Sequence, residues 1–152
     1  MPGVRNNNPL LNECALFNLQ RASRVVSSLY NARLRGSGIT IAQFSLMRSI
    51  EALQPVSMAS LARAMAMDRT SITRAIEPLV ASGLVTTSVG EDRRVREVAL
   101  TAKGGRSVRR GKKRWEKAQQ QLFGALGSKR WLALRTALRT TVRSVRDLEP
   151  SA

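Results

Sequence analysis

The stretch SLARAMAMDRTSITRAIEPLVASGLV, residues 60–85, decides the fold that the sequence predicts. Its first part repeats apolar residues at helical spacing, and Asp68 is placed to cap a second helix directly after a short turn. In that second helix Ile72, Ile76 and Leu79 fall on one side at about 100° per residue, opposite a polar side. A short helix, a tight turn and an amphipathic second helix are typical of a helix-turn-helix.

The polar side of the second helix predicts where DNA would be read. In a helix-turn-helix, the N-terminal residues of the second helix face base edges in the major groove. Arginine can donate two hydrogen bonds to guanine, and hydroxyl groups can reach bases or phosphates. The predicted DNA-contacting residues of this helix are Arg69, Thr70, Ser71, Thr73 and Arg74.

A predicted hairpin follows the helix-turn-helix. Val85–Val89 and Val95–Leu100 are rich in apolar and β-branched residues, and five residues join them. A cationic turn beside a recognition helix can insert a guanidinium into a narrow minor groove. We therefore expect Arg94 to enter the minor groove and Arg93 to bind phosphate. Asp92 is expected to support the wing by holding a neighbouring arginine through a charge-assisted hydrogen bond.

Helical periodicity runs through the rest of the chain. The other predicted helices span Leu10–Leu34, Thr40–Leu53, Thr101–Leu126 and Ser128–Leu148. Thr40 and Ser128 are the predicted N-caps of their helices. Pro78 is expected to bend or end the recognition helix, because its ring removes a backbone hydrogen bond. The long terminal helices carry Leu and Trp stripes with little to pack on in a monomer, so a two-fold partner would bury them. The alternative is a plain helical bundle that buries the same stripes alone.

The charge of the chain indicates a polyanionic partner. Lys and Arg number 26 against 10 Asp and Glu, which gives a net charge of +16 at pH 7. Nucleic acid and an anionic membrane surface both fit this excess. No window of the sequence approaches the roughly 18 apolar residues of a spanning helix, and the N-terminus lacks the pattern of a secretion signal. These features favour DNA over a membrane and predict a cytoplasmic protein.

Residue types that carry catalysis are scarce. The sequence has no His and one Cys, and its acidic residues are scattered. A His-based or Cys/His catalytic pair and a His/Cys metal site are therefore excluded, and no Gly-rich phosphate loop occurs. No enzymatic activity, cofactor or metal is predicted.

Three segments resemble the MarR family of winged helix-turn-helix transcriptional regulators: ITIAQFSLMRSI, the stretch quoted first, and DRRVREVALTAKG. The family's wing spacing is matched by Asp92, Arg94, Leu100, Thr101 and Gly104. The resemblance implies a mostly helical fold with a small β-hairpin wing. It also implies a homodimer through N- and C-terminal helices that binds pseudo-palindromic operator DNA and is released by a ligand or by thiol oxidation.

The resemblance and the helical pattern together divide the chain. The predicted parts are a flexible N-terminus (1–9), the N-terminal helix of the dimerisation region (10–38), a DNA-binding lobe (39–101) and C-terminal dimerisation helices (102–149). The predicted function is sequence-specific regulation of transcription, and repression is favoured over activation. The alternative is an architectural, nucleoid-type DNA-binding protein.

Cys14 and three apolar residues are candidates for control of DNA binding. Peroxide-sensing MarR relatives carry a reactive Cys early in the first helix, which makes Cys14 a candidate redox switch; otherwise it is a small packed hydrophobic residue. A pocket for a small aromatic effector is expected between the lobe and the terminal helices. Its predicted lining residues are Phe17, Phe44 and Met47.

Overall fold

The computed structural model describes residues 12–90 and 92–148, so the predicted flexible segment 1–9 lies outside them. The elements in chain order are α1 (Ala15–Leu34), α2 (Ile41–Leu53), β1 (Val56–Ser57), α3 (Met58–Met65), α4 (Arg69–Ala81), β2 (Val85–Val89), β3 (Arg96–Leu100), α5 (Ala102–Leu126) and α6 (Ser128–Arg146). The fold is mostly helical with a small β-sheet, as predicted.

Side-chain caps begin the helices of the DNA-binding lobe. Thr40 and Gln43 form a reciprocal capping box at the start of α2. The Ser57 hydroxyl accepts the Ser60 amide at 3.1 Å at the start of α3. Ala66 takes a left-handed conformation with φ of 51° and ends α3, so the chain turns directly into α4. The predicted helix-turn-helix is therefore confirmed.

The sheet has three strands rather than the two that the sequence predicts. Its order is β1-β3-β2, and both pairings are antiparallel. Val56 pairs with Val98 at the centre of the sheet, and both side chains are buried. A strand of two residues has no periodicity to detect, and it forms because β3 offers an open edge that needs hydrogen-bond partners.

One buried cluster holds α2, α3, α4 and the sheet together. Its fully buried members include Met47, Ile50, Leu61, Ile72, Leu79 and Val98. Ile72, Ile76 and Leu79 are all buried, as the periodicity of α4 predicts. Phe44 is also in this cluster, and its ring centroid lies 6.2 Å from that of Trp115.

Three local predictions need correction. α4 continues through Pro78 to Ala81, since the proline stands in the last turn and few later hydrogen bonds depend on it. Ser128 is the first residue of α6 and not its cap; Gly127 takes the cap position with φ of 76° and gives no side-chain hydrogen bond. Cys14 is not packed, because it precedes the first turn of α1 as the N-cap and is exposed.

The chain divides into two compact units, with the boundary after Trp115. The second unit holds the end of α5 and all of α6, where the rings of Phe123 and Trp131 lie 4.7 Å apart. Along α6 a stripe of apolar side chains is exposed, formed by Leu134, Leu138, Val142 and Val145. In the first unit α1 likewise exposes Leu16, Leu19 and Val25.

Candidate DNA interface

The N-terminus of α4 is fixed by Asp68. One carboxylate oxygen accepts the Ser71 amide at 2.8 Å, and the other accepts the Ser71 hydroxyl at 2.5 Å. These bonds favour the charged carboxylate, and the hydroxyl bond contributes most to lowering the pKa of Asp68 below its usual value. Ser71, predicted to contact DNA, is therefore half-buried and already donates its hydroxyl hydrogen to the cap.

The other predicted residues of α4 are presented to solvent. Arg69, Thr70, Thr73 and Arg74 are all exposed. The Thr73 hydroxyl donates to the Arg69 carbonyl at 2.8 Å, which fixes the side chain with its methyl group free to meet an apolar group such as the thymine methyl. Arg69 and Arg74 have no carboxylate partner among residues 12–90 and 92–148.

The wing turn is held by Asp92, whose carboxylate bonds the backbone of the neighbouring Arg94. Its carboxylate accepts the backbone amide of Arg94 at 2.9 Å, and its carbonyl accepts the Val95 amide at 2.8 Å. A carboxylate that bonds an amide two residues on closes a turn locally, and this charge-assisted bond holds Arg94 by its backbone and not by its guanidinium. Arg93 and Arg94 consequently keep exposed guanidinium groups without a carboxylate partner within the described ranges.

Three of the seven predicted DNA-binding residues meet at one groove, whereas Thr70, Ser71, Arg74 and Arg93 do not line it. Arg69 and Thr73 of α4 and Arg94 of the wing turn line a cavity of about 840 Å³. Its floor is apolar and includes Met58 and Val80. The structure therefore brings the recognition helix and the wing to the same side of the lobe.

Arg96 is a lining residue of this groove that the predicted site did not include. It opens β3, pairs with Val89 and is exposed. Period-two alternation from the buried Val98 places Arg96 on the same face of the strand, just beyond the core. That alternation is the signal by which the sequence could have identified it.

The predicted effector residues lie in different surroundings. Phe44 and Met47 are buried in the core of the lobe, and Phe17 is half-buried on α1. A separate cavity of about 760 Å³ opens between α1 and the start of α2, and its polar lining includes Arg24, Asn31 and Gln43. None of the three predicted residues lines this cavity.

The described residues also limit other kinds of site. Within residues 12–90 and 92–148, no three His, Cys, Asp or Glu side chains come together as a metal site would require. In the same part of the chain, none of the helices combines the length and apolarity needed to cross a membrane.

A capped recognition helix behind a tight turn, with a cationic β-wing at its side, defines a winged helix-turn-helix DNA-binding protein. A sequence model of the MarR family matches residues 39–95, which cover the helix-turn-helix and most of the wing. Over these residues the chain is similar to the MarR family of transcriptional regulators.

Solved structures agree with this assignment over nearly the whole chain. The M. tuberculosis transcriptional regulator MosR in complex with DNA is 29% identical, with 91% of this chain and 100% of that chain covered and a TM-score of 0.83. The repressor CouR bound to a 23-mer DNA duplex is 25% identical, with 88% and 96% covered and a TM-score of 0.78. Bordetella bronchiseptica BpsR, whose DNA binding is regulated by 6-hydroxynicotinic acid, is 26% identical, with 87% and 96% covered and a TM-score of 0.76. No curated protein sequence matches the chain.

Proposed function

We propose that this protein is a cytoplasmic transcriptional repressor that binds pseudo-palindromic operator DNA as a homodimer. The observation that carries the proposal is the shared groove at which α4 and the wing present Arg69, Thr73 and Arg94. Major-groove reading by α4 and minor-groove insertion by Arg94 need both groups on one side of the lobe. The exposed N-terminal turn of α4 adds backbone amides and a helix dipole that favour phosphate.

Dimerisation is supported by apolar surface on the terminal helices. Leu134, Leu138, Val142 and Val145 recur on one side of α6, and each is at least 39% exposed. Soluble monomers seldom leave a continuous apolar stripe in water, whereas a two-fold interface buries the same stripe of both copies. We assign dimerisation to residues 10–38 and 102–149, which leaves residues 39–101 as the DNA-binding lobe.

Repression with ligand release is supported by the relatives. CouR is a repressor that has been solved on DNA, and the DNA binding of BpsR responds to a small aromatic acid. The cavity between α1 and α2 is the better candidate for an effector site here, because Phe44 and Met47 are already packed in the core. A small anionic aromatic compound would suit its polar, arginine-containing lining.

The test is competition between specific and random DNA at fixed salt. Genomic fragments bound by the protein identify a candidate operator, and its affinity is compared with that of a scrambled duplex of equal length. A specific regulator should prefer the operator by roughly 10³ or more. A ratio near unity would instead support the architectural alternative, which the net charge of +16 alone could sustain.

A thiol switch is the second candidate mechanism of release, because Cys14 is exposed to oxidants. Peroxide treatment of the wild type and of Cys14→Ser, each bound to operator duplex, separates the two mechanisms. Release from the wild type alone assigns control to the thiol. Equal behaviour of both proteins assigns it to a bound ligand.

A further inference from the structure

A second cationic surface lies on the first half of α5, outside the groove. Arg106, Arg109, Arg110 and Lys113 follow the spacing i, i+3, i+4, i+7, and all four are exposed. Such spacing places them on one side of the helix over a length of about 10 Å. We call these four residues the α5 stripe. No carboxylate in residues 12–90 or 92–148 forms an ion pair with them.

The opposite side of α5 is packed tightly against the lobe. A Cβ atom on Gly104 would stand 2.0 Å from the Leu84 carbonyl oxygen, and one on Gly111 would stand 2.9 Å from the Phe44 ring. The helix backbone therefore lies directly on the lobe, and the stripe points away from it. None of the four stripe residues lines the groove between α4 and the wing.

Two other cations of α5, unlike most of the stripe, form hydrogen bonds that stabilise the fold. Lys103 donates to the Ser82 carbonyl at 2.8 Å, and Arg114 donates to the Arg35 carbonyl at 2.5 Å. Both therefore satisfy carbonyls at the C-terminal ends of helices, where a cation is favourable. Within the stripe only Arg110 has a described bond, from one guanidinium nitrogen to the Ser107 hydroxyl at 3.0 Å.

The stripe is unfavourable for the helix that carries it. Like charges three and four residues apart repel each other. A surface that costs stability and whose one internal side-chain bond is that of Arg110 points to an external polyanion.

The surroundings of the stripe favour one kind of polyanion. A second copy of this chain carries the same net charge of +16 and offers no excess of carboxylates to pair with the stripe. A lipid surface needs apolar side chains beside the cations, but the apolar side of this half of α5 faces the lobe. Single-stranded nucleic acid needs exposed aromatic rings for stacking, whereas Trp115 is half-buried against Phe44.

We propose that the α5 stripe binds the phosphates of a second segment of duplex DNA, so that the protein bridges an operator to another segment. The proposal rests on the proposed function for the first segment only. A 10 Å row of cations laid along the duplex axis spans about three base-pair rises of 3.4 Å each. The contact would be independent of base sequence.

A bead assay tests the bridge. A biotinylated operator duplex is immobilised and saturated with protein, and a labelled random duplex is then added. The wild type should retain the labelled duplex, while the variant R106Q/R109Q/R110Q/K113Q should retain at least tenfold less and still bind the operator selectively. The matched control K129Q/R130Q/R135Q/R139Q removes four exposed cations of α6 and should retain as much as the wild type.

Several outcomes would overturn the bridge. These are no retention by the wild type, equal retention by the stripe variant, and equal loss in the α6 control. Preferential displacement of the labelled duplex by anionic vesicles or by single-stranded RNA would assign the stripe to those partners instead. The assay is repeated with a random duplex on the beads. A wild type that binds this duplex as well as the operator refutes the proposed function. Dependence of the retained label on the stripe is measured separately and tests the bridge.

Discussion

The recognition helix and the wing both present arginines to the same groove, but they support them differently. On α4 the guanidinium groups extend from a helix whose first turn is fixed by Asp68 and whose other side is buried. On the wing, Arg93 and Arg94 extend from a turn closed by local hydrogen bonds, in which Asp92 accepts the Arg94 and Val95 amides and the Val95 carbonyl accepts the Gly90 amide. A rigid backbone suits the reading of base edges, whereas an exposed cationic turn suits a groove whose width varies with sequence.

The variant with the largest expected effect disrupts the packing of α5 against the lobe, which supports both α4 and the wing. Gly104→Ala places a Cβ atom 2.0 Å from the Leu84 backbone oxygen, between the end of α4 and the start of β2. We expect a loss of about 3 kcal/mol in the free energy of unfolding, measured by denaturant titration, because backbone cannot move aside as a side chain can. Gly124→Ala in the same helix has open space around it and should be neutral or slightly stabilising. Equal stability of the two variants would contradict the close packing.

The next variant distinguishes the role of α4 in DNA binding from that of the wing. Arg74→Ala should remove discrimination at one base pair of each half-site, worth about 1–3 kcal/mol, and leave binding to random duplex nearly unchanged. The measurement is a set of affinities for operators with single substitutions at every position. A uniform loss of affinity across all operators would assign Arg74 to a phosphate contact. It would contradict the assignment of base reading to α4.

Arg94→Ala should have the opposite signature. We expect about a tenfold loss of affinity for every duplex that contains the same narrow groove, with a salt slope smaller by about one. Arg139→Ala removes an equal charge from an exposed position on α6 and serves as the matched control. If the control loses as much affinity, the effect reflects net charge and not insertion by the wing.

The sequence predicted those parts of the fold that depend on neighbouring residues. The caps Thr40 and Asp68 and the buried side of α4 follow from spacings of three and four residues, which are fixed by helix geometry. β1 could not be predicted, because its two residues pair with Val98 and Glu97 about 40 residues away.

Parts of the candidate site depend on tertiary geometry in the same way. Asp92 was expected to hold a neighbouring arginine, and the conformation of the turn decides that it does so through the Arg94 backbone amide. The approach of Gly104 to Leu84 depends on how α5 packs against the lobe. A glycine inside a helical segment of the sequence does not indicate such a close contact. The DNA-binding roles of Arg69, Thr70, Ser71, Thr73, Arg74, Arg93 and Arg94 remain predictions until variants are measured.

The smallest expected effect is the pH dependence of the cap on α4. The pKa of Asp68 is lowered in the folded protein, so its contribution to stability is present above the ordinary Asp value of 3.8 and is lost as pH falls through the folded value. Asp68→Ala should therefore lower the Tm by a few degrees at pH 7, and the difference from the wild type should shrink below about pH 4. Asp68→Asn keeps an acceptor for the Ser71 amide, and it should retain most of the stability at pH 7 with less dependence on acid. A difference between Asp68→Ala and the wild type that stayed constant from pH 7 to pH 3 would mean that the charged cap does not stabilise the recognition helix, and the proposed rigidity of α4 relative to the wing would then need another cause.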